Sequence, residues 1–253
     1  MNDVVVSRPS LLILYINLDA SEHRRDAMEQ QFKGLDIPYQ RVPAIDGQSV
    51  FGSLSVADRK RFLQCHGRDL RPGELGCYMS HLKAMQFFLD TDYEYVIICE
   101  DDAVIVDHDV VFRLIFSDSS DEKWDFLRLH SRRNPVRVKV SVAAGGVSYF
   151  INFTRSTGSA AYALNRKAAQ RLLHALRRIE VPFDHAFDLP HQFKLRYRHV
   201  FPLPVSLREA PSSIETSKPK KLPFYRKLPT LGWRAKTETS RFFWALRSVL
   251  TER

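Results

Sequence analysis

Two kinds of apolar spacing alternate along the chain. Unbroken apolar runs, "LLILYI" at 11–16 and "YVIIC" at 95–99, predict strands buried on both faces. Between them, "ASEHRRDAMEQQF" and "RPGELGCYMSHLKAMQFFLD" space their apolar residues by three and four, which predicts helices. Asp19 and Glu22 have the spacing of a capping box for the first helix. Pro72 suits the start of the second, whose expected apolar face is Leu75, Met79, Leu82, Gln86 and Leu89. "IPYQRVPAIDG" reads as a short strand closed by an Asp-Gly turn at Asp46 and Gly47, and a short helix is predicted around 56–63.

Further along, "HDVVFRLIF" predicts a helix, "SDSSDE" a linker and "WDFLRLH" a strand. "VRVKVSVAAGGVSYF" alternates around a Gly-Gly pair and predicts a hairpin. "AAYALNRKAAQRLLHALRR" predicts a strand and then a helix with Asn165 as its N-cap. Strands alternating with helices make this an α/β domain with a central, mostly parallel sheet flanked by helices.

Composition narrows the class. The chain has 253 residues, 44% apolar and 26% charged, an ordinary globular mixture. No apolar run approaches the roughly 20 residues of a membrane-spanning helix. The first residues lack the pattern of a secretory leader, so the expectation is a chain that starts near Met1 in the cytoplasm. Three cysteines without C-x-x-C spacing point to neither a disulfide framework nor a zinc knuckle. The net charge of +9 is unevenly placed: residues 218–253 hold 10 basic and 2 acidic side chains, and 1–217 hold 28 and 27. A nearly neutral body argues against nucleic acid as a partner. The expected division is therefore a domain over 1–217 and a basic, aromatic tail over 218–253.

The chemistry concentrates where "YVIIC" runs into Glu100, Asp101 and Asp102. Three adjacent carboxylates repel one another unless water, a basic neighbour or a cation relieves them. The strand's carboxyl end is where open α/β sheets bind ligands. Carboxylate oxygens there suit Mg or Mn gripping the phosphates of a nucleotide, although a solvated turn gives the same spacing. The chain has no phosphate-cradling Gly-rich loop and no G-x-S-x-G elbow.

Four ordered stretches, "YINLDASEHRR", "RVPAIDG", "LRPGELGCYMSHLKAM" and "YVIICEDDAVI", together resemble glycosyltransferase family 25, whose bacterial members build lipopolysaccharide and lipooligosaccharide. The similarity extends from about Leu12 to about Leu207. It implies a GT-A-like nucleotide-sugar-binding domain, a UDP-sugar donor (most often UDP-galactose), a glycan or glycolipid acceptor and inversion at the anomeric carbon. On that resemblance "EDD" is a variant of the D-x-D motif, with Asp102 and Glu100 on a Mn or Mg ion and Glu100 or Asp101 addressing the donor. Asn17 and Leu18 would face the uridine, and Arg24 the diphosphate with Arg25 beside it. Ser80 and His81 would line the donor site, with Lys83 close by. The plainer alternative makes Glu74 a helix cap and His81 a satisfied buried histidine.

Inversion requires a base on the acceptor hydroxyl. "VPFDHAFD" is similar to a late Pro-x-Asp element of the family, which nominates Asp184 first and Asp188 second. Either also fits an ordinary helix-start carboxylate. His185, His191 and His199 are available to complete a metal site. Two rivals stay open: a metal-dependent phosphoryl-transfer or hydrolytic enzyme, and a nucleotide-sugar-binding protein without turnover.

In the tail, "ETSRFFWALRSVL" places Phe242, Leu246 and Val249 on one helical face with Phe243 and Leu250 beside them. Aromatics and arginines so arranged suit an anionic membrane surface, and a helix packed on the body is the alternative. The membrane reading predicts peripheral attachment to the inner face of the cytoplasmic membrane.

Overall fold

The computed structural model describes residues 10–116, 124–208 and 227–251. β1 (Leu11–Asn17) leads into α1 (Glu22–Phe32), β2 (Tyr39–Pro43) and three helices, α2 (Gly47–Phe51), α3 (Val56–His66) and α4 (Pro72–Leu89). β3 (Tyr95–Glu100) and β4 (Ala103–Ile105) flank the acidic run, and α5 (His108–Phe116) follows. Next come β5 (Phe126–Arg128), the hairpin of β6 (Arg137–Val142) and β7 (Ser148–Asn152), and β8 (Ala161–Asn165) running into α6 (Arg166–Ala175). The chain continues through α7 (Phe183–Ala186), β9 (Tyr197–Phe201), β10 (Val205–Leu207) and α8 (Leu228–Thr251). The expected linkers "SDSSDE" and most of "SKPKKLPFYRKLPT" lie outside the described residues, whereas Leu228 to Thr230 already belong to α8.

Eight strands form one sheet in the order β2-β1-β3-β8-β5-β9-β7-β6. The pairings make it mixed, with β8 and β7 opposed to the other six. A sheet so covered by helices is the GT-A-like α/β architecture that the resemblance implied. β1 shows why its run is unbroken: Leu12, Leu14 and Ile16 join the core under α4 and α6, while Leu11, Ile13 and Tyr15 join the core under α1 and α5.

Local details depart from the sequence pattern in three places. Asp19 does not cap α1; Ser21 occupies the N-cap without a side-chain bond, and Asp19 instead pairs with Arg41. Asp46 does not end in a free turn but caps α2, accepting from the Gln48 amide at 3.0 Å. The buried face of α4 is Leu75, Tyr78, His81, Met85 and Phe88, leaving Met79, Leu82 and Leu89 half-buried. Two aromatics and a hydrogen-bonded histidine outweigh the leucines at that interface. Asn165 does cap α6, accepting from the Ala168 amide at 2.9 Å, and Gly145 and Gly146 take the left-handed φ of +69° and +76° in the hairpin loop.

α8 packs on the body rather than extending from it. Thr230, Thr237, Arg241, Ala245, Ser248 and Val249 are buried. Arg241 reaches Asp188 at 3.2 Å, and Trp233 and Trp244 pack against the main core. The expected boundary at 217/218 lies outside the described residues.

Buried histidines set the acid response. Burial, with the Arg68 charge next, pushes His66 down to about 3, and burial with Arg241 pushes His191 down to about 4. Both lie below the ordinary 6.5 of an unfolded histidine, so the unfolded chain takes up these protons first. The stability they contribute is complete above pH 6.5 and is lost as pH falls toward the folded values. A thermal melt at pH 5 is expected to lie about 2–5 °C below one at pH 7. Equal melting temperatures would contradict buried neutral imidazoles.

Candidate active site

The loops after β1, β2, β3 and β10, together with the start of α4, enclose a 380 Å³ cavity at one end of the sheet. Backbone contact closes its floor. A Cβ on Gly47 would lie 1.7 Å from the Pro72 carbonyl oxygen, and one on Gly76 would lie 2.5 Å from that of Ile45. Only glycines let the "AIDG" loop and the first turns of α4 meet so closely. Ser80 bolts the same junction, accepting from the Ile45 amide at 2.8 Å and donating to the Gly76 carbonyl at 2.6 Å.

The three acids have separate environments. Asp101 is spoken for: Arg24 approaches one oxygen at 3.0 Å and the Asn17 amide donates to the other at 2.8 Å. Glu100 accepts from Ser159 and lies 3.4 Å from His81 Nε2. Burial works to raise its carboxyl, but the bond and charge of His81 and the bond from Ser159 hold it below the usual range. Asp102 has only the Arg24 and Arg132 charges to lower it, and they do not outweigh what raises it. Its Oδ1 is buried with no hydrogen-bond partner, and burial, then the Glu100 and Asp101 charges, push it up to about 6. An orphaned carboxylate oxygen repelled by its neighbours is what a divalent cation relieves, so Asp102 fits a metal ligand. Glu100 fits as the second ligand if Oε1 exchanges its present bonds for the ion.

Cys77, His81 and Glu100 also bring ligand atoms within 4.8 Å of one another. Burial, with Glu100 and Asp184 nearby, raises the Cys77 thiol well above its ordinary value, so it stays protonated. His81 is already engaged: Nδ1 meets the Tyr162 hydroxyl at 2.9 Å and its ring stacks on Phe183 at 4.1 Å. The trio is a hydrogen-bonded wall. His81 is therefore the satisfied buried histidine of the plainer reading and a lining residue as well.

Other expected residues divide sharply. Leu18, Arg24, Ser80, His81 and the three acids line the cavity. Asn17 does not face a ligand, because Arg41, Ser21 and Asp101 use its amide, and its role is to position Asp101. Lys83 is exposed, donates to the Pro43 carbonyl at 2.7 Å and is not among the residues lining the cavity, so the donor-site role expected of it is not borne by its side chain here. Arg25 pairs with Asp26. Glu74 is the expected cap, accepting from the Arg71 amide and pairing with Arg68.

Asp188 is corrected too. It is fully buried, with Arg241 at 3.2 Å, Arg128 at 3.7 Å and the Ser156 amide at 3.0 Å, so no acceptor hydroxyl reaches it. Asp184 has a quarter of its side chain exposed and accepts from the Gly158 amide at 3.2 Å; it lies close enough to Cys77 for its charge to act there but is not itself among the residues lining the cavity. His185, His191 and His199 are not among the residues lining the cavity.

Arginines are what the sequence pattern did not single out. Arg71, Arg132 and Arg208 join Arg24 around the acids. Arg208 Nη1 is buried with no hydrogen-bond partner, while its backbone amide donates to the Asp102 carbonyl at 2.7 Å. Arg132 lowers both Glu100 and Asp102 by its charge. Four guanidiniums from four separate segments make a fork-donor surface suited to a diphosphate.

The comparisons agree with this geometry. A family model described as "Glycosyltransferase family 25 (LPS biosynthesis protein)" matches residues 11–187. The chain is similar to procollagen galactosyltransferase 2 of Mus musculus, 26% identical over 172 residues that cover 64% of this chain and 27% of that protein. It is also similar to a glycosyltransferase 25 family member of Drosophila melanogaster, 32% identical over 95 residues that cover 36% and 16% of the two chains. The chain thus spans about a quarter or less of the length of these relatives.

Proposed function

This chain belongs to glycosyltransferase family 25, and from that premise we propose that it transfers galactose from UDP-galactose to a glycan or glycolipid acceptor, with inversion. The observation that carries the reading is the cavity itself, where four carboxylates (Asp46 and the three of the acidic run) and four arginines converge. The galactosyltransferase names of the relatives support the sugar, and the family description supports a lipopolysaccharide-type acceptor.

In this proposal Leu18 and the "AIDG" loop seat the nucleotide, while Arg24, Arg71, Arg132 and Arg208 grip the diphosphate and stabilise the charge it gains on leaving. Asp102 and Glu100 hold Mn or Mg, whose chemistry there is further neutralisation of that charge. Asn17 and Arg24 fix Asp101 so that it does not compete for the donor. Asp184 takes the proton from the acceptor hydroxyl as that oxygen attacks the anomeric carbon from the side opposite the diphosphate. The test is UDP release from a panel of UDP-sugars with Mn, with and without truncated oligosaccharide acceptors. UDP-galactose is expected to give acceptor-dependent release; no binding and no release from any UDP-sugar sinks the reading.

The outer face of α8 supports a membrane partner. Phe243, Leu246 and Leu250 recur at helical spacing and are 63%, 39% and 72% exposed, with Phe242 beside them. Exposed Arg234, Lys236 and Arg247 lie on the same helix. An apolar stripe flanked by cations suits a bilayer carrying anionic headgroups, at the inner face of the cytoplasmic membrane in this proposal. Replacing Phe243 and Leu250 by glutamate is expected to lower flotation with anionic liposomes by about tenfold or more, since two buried apolar side chains are lost. Unchanged flotation excludes this face.

A further inference from the structure

A second cavity of 250 Å³ adjoins the first, and Arg132 lines both. Its other charged and polar walls come from Arg128, Arg133, Arg137, Asn152 and His199, and no carboxylate is among the lining residues. Arg132, Arg133 and Arg137 have no carboxylate partner among the described residues. Arg128 has one at 3.7 Å, Asp188, which it shares with Arg241, and Arg241 has Glu238 at 3.4 Å as well. Nη1 of Arg128 donates to the Ser156 carbonyl and hydroxyl, while its Nε and Nη2 are buried without hydrogen-bond partners among the described residues, and Arg128 is only 1% exposed.

The cluster is held in place. Arg137 lies 3.8 Å over the Phe201 ring and donates to Asn134 Oδ1 at 2.9 Å. Arg132 is anchored through its amide to the Thr157 carbonyl at 2.8 Å, beside Gly158, whose φ of +98° and missing Cβ leave room for the Arg132 stem. Ser131 Oγ donates to the Arg133 carbonyl at 2.7 Å and so closes the loop on itself. His199 is forced well below its ordinary value by burial and then by Arg128, Arg241, Arg137 and Arg198, so it adds no positive charge.

We infer that this second cavity is an anion subsite, which receives a phosphate monoester or carboxylate carried by the acceptor while the acceptor's hydroxyl faces the donor cavity. The inference rests on the transferase reading for the word acceptor; the anion site rests on the arginines alone. Its volume is below the roughly 300–1,000 Å³ of pockets that enclose whole drug-sized ligands, which suits one charged sugar substituent rather than a second nucleotide. Guanidinium forks recognise phosphate and carboxylate alike, so the two sources share one chemistry.

The experiment titrates the full chain, with UDP saturating the first cavity, against glucose 6-phosphate, glucuronate and glucose, followed by calorimetry. The anionic probes are expected to bind and glucose not, and the stronger of the two identifies phosphate or carboxylate. Arg133→Gln, an exposed change, and Arg133→Gln with Arg137→Gln are expected to weaken the anion by about tenfold or more while leaving UDP affinity unchanged. Binding of both anions no tighter than glucose, or anion binding indifferent to Arg133→Gln and to the double change, overturns the subsite. Those outcomes leave UDP binding intact and the transferase reading standing; absent UDP binding with intact anion binding overturns that reading instead.

Discussion

An Asp102→Asn chain is expected to lose sugar transfer by about 10²–10³-fold and yet to melt higher than the parent at pH 7.5. Both effects have one source. Burial and two neighbouring carboxylates raise Asp102 to about 6, above the ordinary 3.8, so ionised Asp102 opposes folding. The sign follows from linkage: the stability of the protonated form is present below pH 3.8 and is lost as pH rises through about 6. An amide keeps the shape without the charge, which restores on the order of 1–3 kcal/mol at pH 7.5 and about 2–6 °C in Tm. The gain should vanish near pH 4, where the parent is protonated as well. A carboxylate kept at such a cost supports the proposal that Asp102 holds a cation. Melting curves at both pH values with UDP-release rates check the pair, and a variant that loses stability while keeping activity would falsify the assignment.

The opposing pH trends also separate site from scaffold. His66 and His191 lose stability on acidification, whereas Asp102 loses it on the way up, so removing Asp102 should steepen the acid-side decline of Tm.

How much of this was legible in the sequence depends on how local each signal is. β1, β3 and α5 follow from uninterrupted or helical apolar spacing, and α6 from its Asn165 cap, because neighbours in the chain decide those features. The alternation of strands and helices and the acidic run at the end of β3 were legible for the same reason, whereas the GT-A-like assignment rested on the resemblance to the family. The buried face of α4 was not: Tyr78 and Phe88 win it through partners on α7 and β8 that no local window contains. Arg24 was legible, but Arg71, Arg132 and Arg208 were missed because they come from three further segments and share no spacing with it. In "SRRNP" at 131–135, Arg132, Arg133 and Asn134 are exposed, which by itself marks nothing more than a polar loop. Only the absence of carboxylates opposite them reveals a site. Asp184 and Asp188 are alike in sequence, four residues apart before and within one short turn. Their environments separate them completely.

That separation gives the last expectation. Asp188→Ala is expected to cost about 3–5 kcal/mol, because it leaves Arg128 and Arg241 buried against each other and the Ser156 amide without its acceptor. Against a typical total of roughly 5–15 kcal/mol, such a loss brings the chain close to unfolding at growth temperature. The folded fraction should still bind UDP, since Asp188 lines neither the donor cavity nor the second one. Asp184→Asn should do the reverse, sparing Tm within about 1 kcal/mol while removing acceptor-dependent release. Arg241 adds a constraint on the tail. It carries α8 onto the body through Asp188, so cutting the chain before α8 takes the 3.2 Å partner from that buried carboxylate, leaving Arg128 and the Ser156 amide, and uncovers the core that Trp233 and Trp244 cover. Truncation and Asp188→Ala should therefore destabilise the body alike, and only surface changes such as Phe243→Glu isolate what α8 does at a membrane. Urea unfolding of the Asp188→Ala chain and of a chain ending before Lys227 checks this; full stability in either one shows that the Asp188–Arg241 pair does not hold the helix to the body.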